Sequence, residues 1–197
     1  MRMQCSQKGI DLIKSFEGFS LTAYHGKCDR AGLYTIGWGH ARGVRPGDKI
    51  TLEQAEKLLR DDIRDAENVV NLDYVSGRDK PIVTQNEFDA LVSFVFNVKR
   101  ESYLSSTLRR KLKAGDKMGA AGEFKRWIYS DHKIAPGLIP RRDAERRLFL
   151  QSGEANIAAL LLGVIVVVLF MLCLQSWEAG IAALLLGEII VAMLFML

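Results

Sequence analysis

The 197-residue sequence has few of the residues that cross-link a chain or bind zinc. Its three cysteines, Cys5, Cys28 and Cys173, are odd in number and far apart, and no two of them form a zinc-type pair. We interpret them as free thiols in a reducing compartment, with a Cys5–Cys28 disulfide as the alternative. The N-terminal stretch MRMQCSQKGIDLIKSF also lacks the apolar run of a signal peptide, so no secretory signal is expected at the front.

Positive charge is absent from the C-terminal part of the chain. All 27 Lys and Arg lie within the first 150 residues, whereas three of the 23 Asp and Glu lie beyond them. The first 150 residues therefore carry a net charge of +7, and the tail that follows carries −3. A basic body favours a polyanionic partner such as nucleic acid, anionic lipid or an acidic cell-wall polymer, although charge that serves only solubility gives the same pattern.

The tail is almost wholly apolar. Residues 157–174 form one uninterrupted apolar run, and residues 179–197 form a second that contains a single charge, Glu188. The runs are near copies, since EANIAALLLG begins at Glu154 and EAGIAALLLG at Glu178. Each is about as long as the ~17–25 residues that cross a bilayer core. The pattern predicts two transmembrane-type helices, at about 156–174 and 178–197, in preference to a buried hairpin that the small body could not cover.

Residues 1–152 predict a mostly helical domain. Ser6 can cap a helix that Gly18 ends, and capping boxes at Thr51 and Thr84 begin two longer helices, the first at about 51–71 and the second apolar enough to cross the core. Further helices are predicted from Ser105 or Ser106 to Gly115, from Asp116 to Tyr129 and from Pro140 onward. The strand signal LYTIGWG predicts a small hairpin. The fold class is therefore α+β.

Three polar side chains near the front suit the hydrolysis of a glycosidic bond. That reaction needs one carboxylic acid to protonate the leaving oxygen and a second carboxylate to activate water or to attack. Glu17 lies at a predicted helix end and Asp29 on the predicted hairpin, so the two carboxylates come from separate elements that can face one cleft. Thr35 offers a hydroxyl that can hold a water or orient the aspartate. Ordinary solvated charges are the alternative interpretation.

A family resemblance covers residues 6–152. The segments that carry it are, in order, EGFSLTAY, DRAGLYTIGWGH, ITLEQAEKLLRDDI, FDALVSFVFNV, STLRRKLKAGD, AAGEFKRW and GLIPRRDAERRLF. Together they resemble the phage-type lysozymes, the endolysins of glycoside hydrolase family 24. The resemblance implies a small lobe with the hairpin, a long connecting helix and a helical lobe, with a cleft between the lobes. It also implies a muramidase that cuts the β-1,4 bond between N-acetylmuramic acid and N-acetylglucosamine in peptidoglycan and lyses the host. No cofactor, metal or nucleic-acid partner is expected.

The resemblance places the family's catalytic Glu, Asp and Thr on Glu17, Asp29 and Thr35. The interval from Asp29 to Thr35 is that of the family, but the interval from Glu17 to Asp29 is longer, with HGKC inserted after Tyr24. Some members carry Cys at the aspartate position, so Cys28 is a rival for it. Asp29 is preferred because it is in register with the motif that follows. The insertion leaves open whether the reaction inverts or retains configuration.

Three further residues are expected at the substrate cleft. His40 closes the GWGH motif, and a structural histidine bonded to a helix-borne acid is the alternative. Asn97 falls where the family presents an amide to the sugar, with Phe96 beside it; a helix-end residue without a ligand is the alternative for Asn97. A basic rim that faces the polymer is expected from Arg141, Arg142, Arg146 and Arg147; the alternative is that some of them cap the helix or pair with Asp143 and Glu145.

The apolar tail lies outside the family pattern. Small residues four apart, such as Ala159 with Gly163, let helices approach closely, so the tail predicts membrane association through residues 157–197 and a homo-oligomer formed by these helices. The arginines before the tail favour a lysozyme domain on the cytoplasmic side until release, or a protein of the host cytoplasm if the tail is not inserted.

Two other functions stay open. One is an engineered or fused carrier in which the lysozyme is a passenger and the self-associating hairpin is the functional part, and the other is a lytic transglycosylase.

Overall fold

The computed structural model describes residues 2–25, 33–74, 83–130 and 132–151, all of which belong to the unit Met1–Ser152. The predicted tail helices, at about 156–174 and 178–197, lie outside the described residues, as do Cys28 and Asp29. Within the described part of the chain, no helix combines the length and the apolarity needed to cross a membrane.

Helices dominate, with two short antiparallel hairpins, as the α+β prediction requires. In chain order the elements are α1 (Gln7–Phe16), β1 (Ser20–His25), β2 (Tyr34–Gly37), α2 (Leu52–Tyr74), α3 (Gln85–Val98), α4 (Arg100–Leu104), α5 (Thr107–Lys113), α6 (Lys117–Glu123), a 3₁₀ turn (Phe124–Arg126), β3 (Tyr129–Ser130), β4 (Lys133–Ile134) and α7, a helix over 138–151.

Helix α1 begins where the sequence predicts, but its first residue bonds differently from the prediction. Ser6 has the extended backbone of an N-cap, yet its side chain caps no helical N–H. The hydroxyl instead donates to Asp89 of α3, and the Ser6 backbone N–H donates to the same carboxylate at 2.9 Å. Gly9 allows the close approach, since a β-carbon there would lie 2.8 Å from Cβ of Asp89. The start of α1 is therefore fixed to α3 by a contact 83 residues apart in sequence.

The predicted hairpin is present and is extended by the segment that follows it. Strand β1 pairs antiparallel with β2, with Tyr24 opposite Thr35 and Ser20 opposite Gly37. Along the other edge of β1, Ile50 N–H donates to Leu21 O at 3.0 Å. Three consecutive residues of β2, Thr35, Ile36 and Gly37, are buried, and a β-carbon on Gly37 would lie 3.4 Å from Cβ of Ala55 in the first turns of α2.

Both predicted capping boxes are formed. At the start of α2, the Thr51 N–H donates to the Gln54 side chain at 2.8 Å and the Gln54 N–H donates to the Thr51 hydroxyl at 3.2 Å. At the start of α3, Thr84 and Glu87 make the equivalent pair of bonds. These boxes satisfy N–H groups that the first helical turn leaves unpaired, so each helix begins at a residue that the sequence defines.

Helix α3 crosses the core, as its apolar sequence predicts. All residues from Phe88 to Val95 are buried, and α1 and α2 pack against this helix. Phe94 contacts Phe124 and Trp127 edge-on, with ring centroids 5.2 and 5.3 Å away. Burying one such aromatic side chain contributes about 1.5–3 kcal/mol. The core therefore forms around α3, and its C-terminal end is held rigidly.

The prediction of one helix from Asp116 to Tyr129 is wrong in its second half. Asp116 does cap α6 through Gly119 N–H at 2.8 Å, but the helix gives way to a 3₁₀ turn and then to the β3–β4 hairpin. Trp127 leaves the helical path and its ring packs edge-on against Phe94. Tertiary packing of this ring thus ends the helix before the sequence pattern does.

Candidate active site

Glu17 lies where the chain leaves α1, with φ −98° and ψ 143°. Its N–H still donates to Ile13 O at 3.2 Å, which fixes the point from which the side chain projects. The side chain is 23% exposed, and Oε1 accepts a hydrogen bond of 2.7 Å from Nη1 of Arg141, a residue of α7 that is buried. A charge-assisted bond of this kind is stronger than a neutral one. A buried cation therefore holds one oxygen of the partly buried carboxylate.

The loop after β2 passes beside the other oxygen of Glu17. A β-carbon on Gly39 would lie 3.9 Å from Glu17 Oε2. Gly39 has φ +86°, a left-handed conformation that glycine adopts without steric cost. The glycine-rich motif thus brings backbone close to the carboxylate and leaves Oε2 free of the bond to Arg141.

Thr35 is a buried residue of β2 and lies opposite Tyr24 in the hairpin. Its hydroxyl is 3.5 Å from Tyr24 O, at the long limit of a hydrogen bond, so it is available to another partner. The candidates for the second catalytic carboxylate position, Asp29 and Cys28, lie in residues 26–32 between the strands, outside the described residues.

A buried ionic network extends behind Glu17. Arg141 Nε donates to Glu145 Oε1 at 3.2 Å, and the same oxygen accepts a bond of 2.8 Å from the Ser93 hydroxyl of α3. Arg142 Nε lies 3.2 Å from Glu145 Oε2 without a hydrogen bond, since the groups are not aimed at each other. Burial raises the pKa of the Glu145 carboxyl against the opposing effect of Arg142 and Arg141. The network is thus an ionic cluster inside the protein that connects Glu17 to α3.

Arg142 fixes the orientation of the Asn97 amide. Its Nη2 donates to Asn97 Oδ1 at 2.7 Å, and a guanidinium can only donate, so the amide oxygen must face Arg142. The Asn97 NH₂ group consequently points away from Arg142 and retains its donors. Burial lowers the pKa of Arg142 to about 10, and Arg142 Nε and Nη1 have no hydrogen-bond partner within the described ranges. The contact to Asn97 is therefore the one hydrogen bond that this buried guanidinium makes in the described part of the chain.

His40 forms the bonds of the structural alternative. Its Nδ1 lies 2.8 and 3.0 Å from the two oxygens of Asp62 on α2, and its Nε2 lies 3.0 Å from Arg42 O. Both partners can only accept, so both ring nitrogens donate when the imidazole is protonated. His40 therefore ties the loop after β2 to α2.

A cavity of about 730 Å³ lies between this loop, α2 and the junction of α3 with α4. Its lining consists of Gly39, Ala41, Arg42, Asp62, Asp65, Ala66, Asn68, Val69, Val95, Phe96, Lys99, Arg100 and Glu101. Gly39, which lies beside the Glu17 carboxylate, belongs to this lining, whereas Glu17 itself does not, and Phe96 supplies an aromatic wall. The volume is typical of a small-molecule site. Among the described residues, no group of three or more His, Cys, Asp or Glu side chains could hold a metal ion.

The structure decides between the two alternatives for Arg141 and Arg142. Both are buried and pair with Glu17, Glu145 and Asn97, so they do not form a basic rim. The R-R-x-x-E spacing does indicate pairing within one helical turn. It contains no signal for the contact with Glu17, which is 124 residues away.

Comparisons with known proteins agree on one family. The phage lysozyme family model matches residues 14–145. The endolysin of Acyrthosiphon pisum secondary endosymbiont phage 1 is 43% identical over 151 residues, which cover 75% of this chain and 98% of the relative. The SAR-endolysin of Bacteriophage PS119 is 33% identical over 135 residues, covering 68% of this chain and 78% of the relative. The solved endolysin from Escherichia coli O157:H7 phage FAHEc1 superposes with a TM-score of 0.68 at 39% identity, covering 77% of this chain and 96% of its own. The chain therefore belongs to the phage lysozyme family, and it is a glycosidase that hydrolyses peptidoglycan in host cell lysis.

Proposed function

We propose that the chain is a muramidase that cleaves the β-1,4 bond between N-acetylmuramic acid and N-acetylglucosamine, with Glu17 as the general acid. The observation that carries the proposal is the position of this carboxylate. Arg141 holds Oε1, while Oε2 faces Gly39, which lines the cavity. A general acid must come within hydrogen-bond reach of the glycosidic oxygen, and Oε2 is the Glu17 oxygen that Arg141 leaves free for such a contact.

Asp29 supplies the second carboxylate, which activates water or attacks the sugar, and Thr35 orients it or holds the water. The support for this assignment is the sequence register of Asp29 with Thr35, together with the hydroxyl of Thr35, whose contact among the described residues is a long one of 3.5 Å to Tyr24 O. Cys28 is the rival. Replacing Asp29 by Asn is expected to abolish turnover, whereas Cys28→Ser retains it; the reverse result assigns the position to Cys28.

Asn97 and Phe96 bind the sugar. His40 contributes to sugar binding indirectly, by fixing a loop that forms part of the cavity wall. The Asn97 NH₂ is held free to donate by the bond from Arg142 to its oxygen. Phe96 lines the cavity and offers a ring face against which a sugar can pack. His40 makes its bonds to Asp62 and to the backbone beside it, so it holds the loop that carries Gly39 in place.

Replacing Glu17 by Gln tests the general acid. Turnover of purified cell walls, measured as released reducing ends, is expected to fall by about 10²–10⁴-fold, the usual contribution of general acid catalysis. Glu53→Gln is the matched control, because Glu53 is exposed in the first turn of α2 and does not line the cavity. Equal rates for wild type and Glu17→Gln would remove Glu17 from the mechanism.

The products distinguish hydrolysis from lytic transglycosylation. A hydrolase adds water and leaves a reducing N-acetylmuramic acid end, whereas a transglycosylase leaves a 1,6-anhydro end. Mass spectrometry of soluble fragments from the wild type is expected to show the reducing end. An anhydro end in most fragments would show that no water-activating carboxylate takes part.

Residues 1–152 form the catalytic domain, and residues 153–197 attach it to a membrane through two transmembrane-type helices that self-associate. The support is the sequence alone: two apolar runs without Lys or Arg, each long enough to span a bilayer. Until release, the lysozyme domain is on the cytoplasmic side, as the arginines before the tail favour. Glu188 is then expected to face a partner helix or water.

Deleting residues 154–197 separates the two parts. The phage lysozyme family model matches residues 14–145 and so ends before the tail, which supports folding of the shortened chain. The deletion is expected to leave wall hydrolysis unchanged and to move the protein from the membrane fraction to the supernatant. Membrane association that survives the deletion would contradict the role given to the tail. If the deletion instead abolishes a biological effect of the full chain while wall hydrolysis is unchanged, that effect belongs to the hairpin and the lysozyme is its passenger.

A further inference from the structure

Lys99 occupies a backbone conformation that is almost confined to glycine. It connects the end of α3 to the start of α4, with φ 70° and ψ 161°. A side chain in this region clashes with the neighbouring peptide groups, so such residues persist only where the surrounding structure forces them and are concentrated at functional sites. Glycine at this position would adopt the same backbone without strain. The presence of lysine therefore requires an explanation from its side chain.

The Lys99 side chain lies at the cavity and pairs with no carboxylate of the described residues. Its Nζ donates to Phe96 O at 3.2 Å and lies 5.5 Å from the centre of the Phe96 ring. Lys99 is exposed and lines the cavity together with Phe96. Within the described ranges, no acidic side chain forms an ion pair with it. The ammonium is thus held in place over the aromatic wall, with donors left for a ligand.

The other charges of the cavity favour an anion on this side. Arg42 and Arg100 also line it, and neither forms an ion pair with a described acid. Of the acidic residues in the lining, Asp62 is engaged by His40, and Asp65 and Glu101 remain. The lining therefore contains three cationic side chains and two carboxylates without an ion-pair partner among the described residues.

We infer that Lys99 is a specificity-determining residue that binds a carboxylate of the peptide stems of peptidoglycan. The inference rests on the proposed function and names what the cavity recognises beyond the sugar. Peptidoglycan carries free carboxylates on the short peptides attached to its glycan strands, so a cation beside the sugar-binding wall can bind both parts of the polymer. The strain at Lys99 is retained because the ammonium contributes to substrate binding.

Two substitutions separate charge from strain. Lys99→Gln removes the charge and keeps the strained backbone, whereas Lys99→Gly removes both. Lys57→Gln is the matched control, because Lys57 is exposed on α2 and does not line the cavity. All proteins are used as the full chain in mild detergent. The substrates are purified peptidoglycan and the same peptidoglycan with its peptide carboxyl groups amidated.

On native peptidoglycan at low ionic strength, both Lys99 variants are expected to raise KM by about 2- to 5-fold, the range of an exposed ion pair, with kcat unchanged. On amidated peptidoglycan they are expected to match the wild type. Lys99→Gly is also expected to raise Tm by about 2 °C or more relative to Lys99→Gln, because glycine relieves the strain. An unchanged KM on native walls, or the same rise on amidated walls, overturns carboxylate binding. A Tm for Lys99→Gly no higher than that of Lys99→Gln overturns the strain.

The assay also separates this inference from the proposed function. If the wild type releases no reducing ends, the muramidase assignment fails. Co-sedimentation with purified walls then still measures binding. Comparing the Glu17→Gln protein with and without Lys99→Gln shows whether the loss of this charge weakens it. If the wild type is active and Lys99→Gln behaves like Lys57→Gln on native walls, only the role of Lys99 fails.

Discussion

Asp73→Asn is expected to destabilise the protein at neutral pH and to lose this effect in acid. Asp73 lies near the end of α2 with its side chain 8% exposed. Its carboxylate accepts two bonds from Arg109 of α5, 2.6 Å from Nε and 2.9 Å from Nη2, and Lys113 Nζ lies 3.0 Å away. The pair therefore joins α2 to α5 by a two-pronged ionic contact of the geometry that suits guanidinium and carboxylate groups.

The magnitude follows from the burial of the pair. Hydrogen bonds to charged groups contribute about 1.5–3 kcal/mol each when buried, but Arg109 and Lys113 are partly exposed and solvent screens their share. We therefore expect Asp73→Asn to lower the free energy of unfolding by about 2 kcal/mol at pH 7. For a domain of this size, that loss corresponds to roughly 4–8 °C in Tm.

The pH dependence gives the sharper test. Burial raises the pKa of Asp73, but the hydrogen bonds from Arg109 and Lys113 outweigh it and the pKa is lowered overall. A carboxyl with a lowered pKa in the folded state stabilises the protein above the pKa of the unfolded state, about 3.9, and this contribution is lost as the pH falls through the folded-state pKa. The difference between wild type and Asp73→Asn should therefore shrink below about pH 4.

Thermal unfolding of the full chain in detergent, followed by circular dichroism from pH 7 down to pH 3, measures both effects. Asp61→Asn is the matched control, since Asp61 lies on the same helix in an ion pair with Arg64 that is exposed on both sides. The control is expected to change stability by less than about 0.5 kcal/mol. A loss for Asp73→Asn that is as large at pH 3 as at pH 7 would show that shape, and not charge, is what Asp73 contributes.

Two further substitutions test the site and the core. Asn97→Asp keeps the oxygen that Arg142 binds and removes the NH₂ donor. Tm is therefore expected to stay equal or rise, whereas KM on cell walls is expected to rise by about 2- to 10-fold, the contribution of one neutral hydrogen bond. An unchanged KM would leave Asn97 with a structural role only. Thr84→Ala removes the capping box that Thr84 forms with Glu87 and is expected to cost about 1 kcal/mol without altering kcat. Calorimetry beside Thr51→Ala, which removes the box of α2, checks this value, and a negligible cost would mean that packing alone fixes the start of α3.

Local features of the fold could be predicted from the sequence because their causes are local. Each capping box joins residues three apart, and the hairpin follows from alternating residues beside glycines, so Thr51, Thr84 and the YTIG strand were all placed correctly. The features that were missed depend on distant partners. Ser6 bonds to Asp89 in place of its own helix, and Trp127 ends a helical pattern by packing against the core. Such contacts leave no periodic signal in the sequence.

The sequence suggests residues for the candidate site but not the contacts that support them. Glu17 and Thr35 remain predictions from the motif, whose residue types suit glycosidic hydrolysis. The arginines of α7 carry a signal only for surface charge or for pairing along their own helix. Their burial beside Glu145, and the contact of Arg141 with Glu17, arise when α7 packs against both α1 and α3.

The carboxylate proposed as the general acid therefore depends on the last helix described in the domain. Glu17 lies near the front of the chain, but the cation that holds it and the acid that holds that cation, Arg141 and Glu145, are both residues of α7. Asn97 depends on the same helix through Arg142. The motif near the front can thus be intact in a chain whose active site is not formed. The site exists only after the two ends of the domain have met, so its geometry reports on completion of the fold and not on the local hairpin alone.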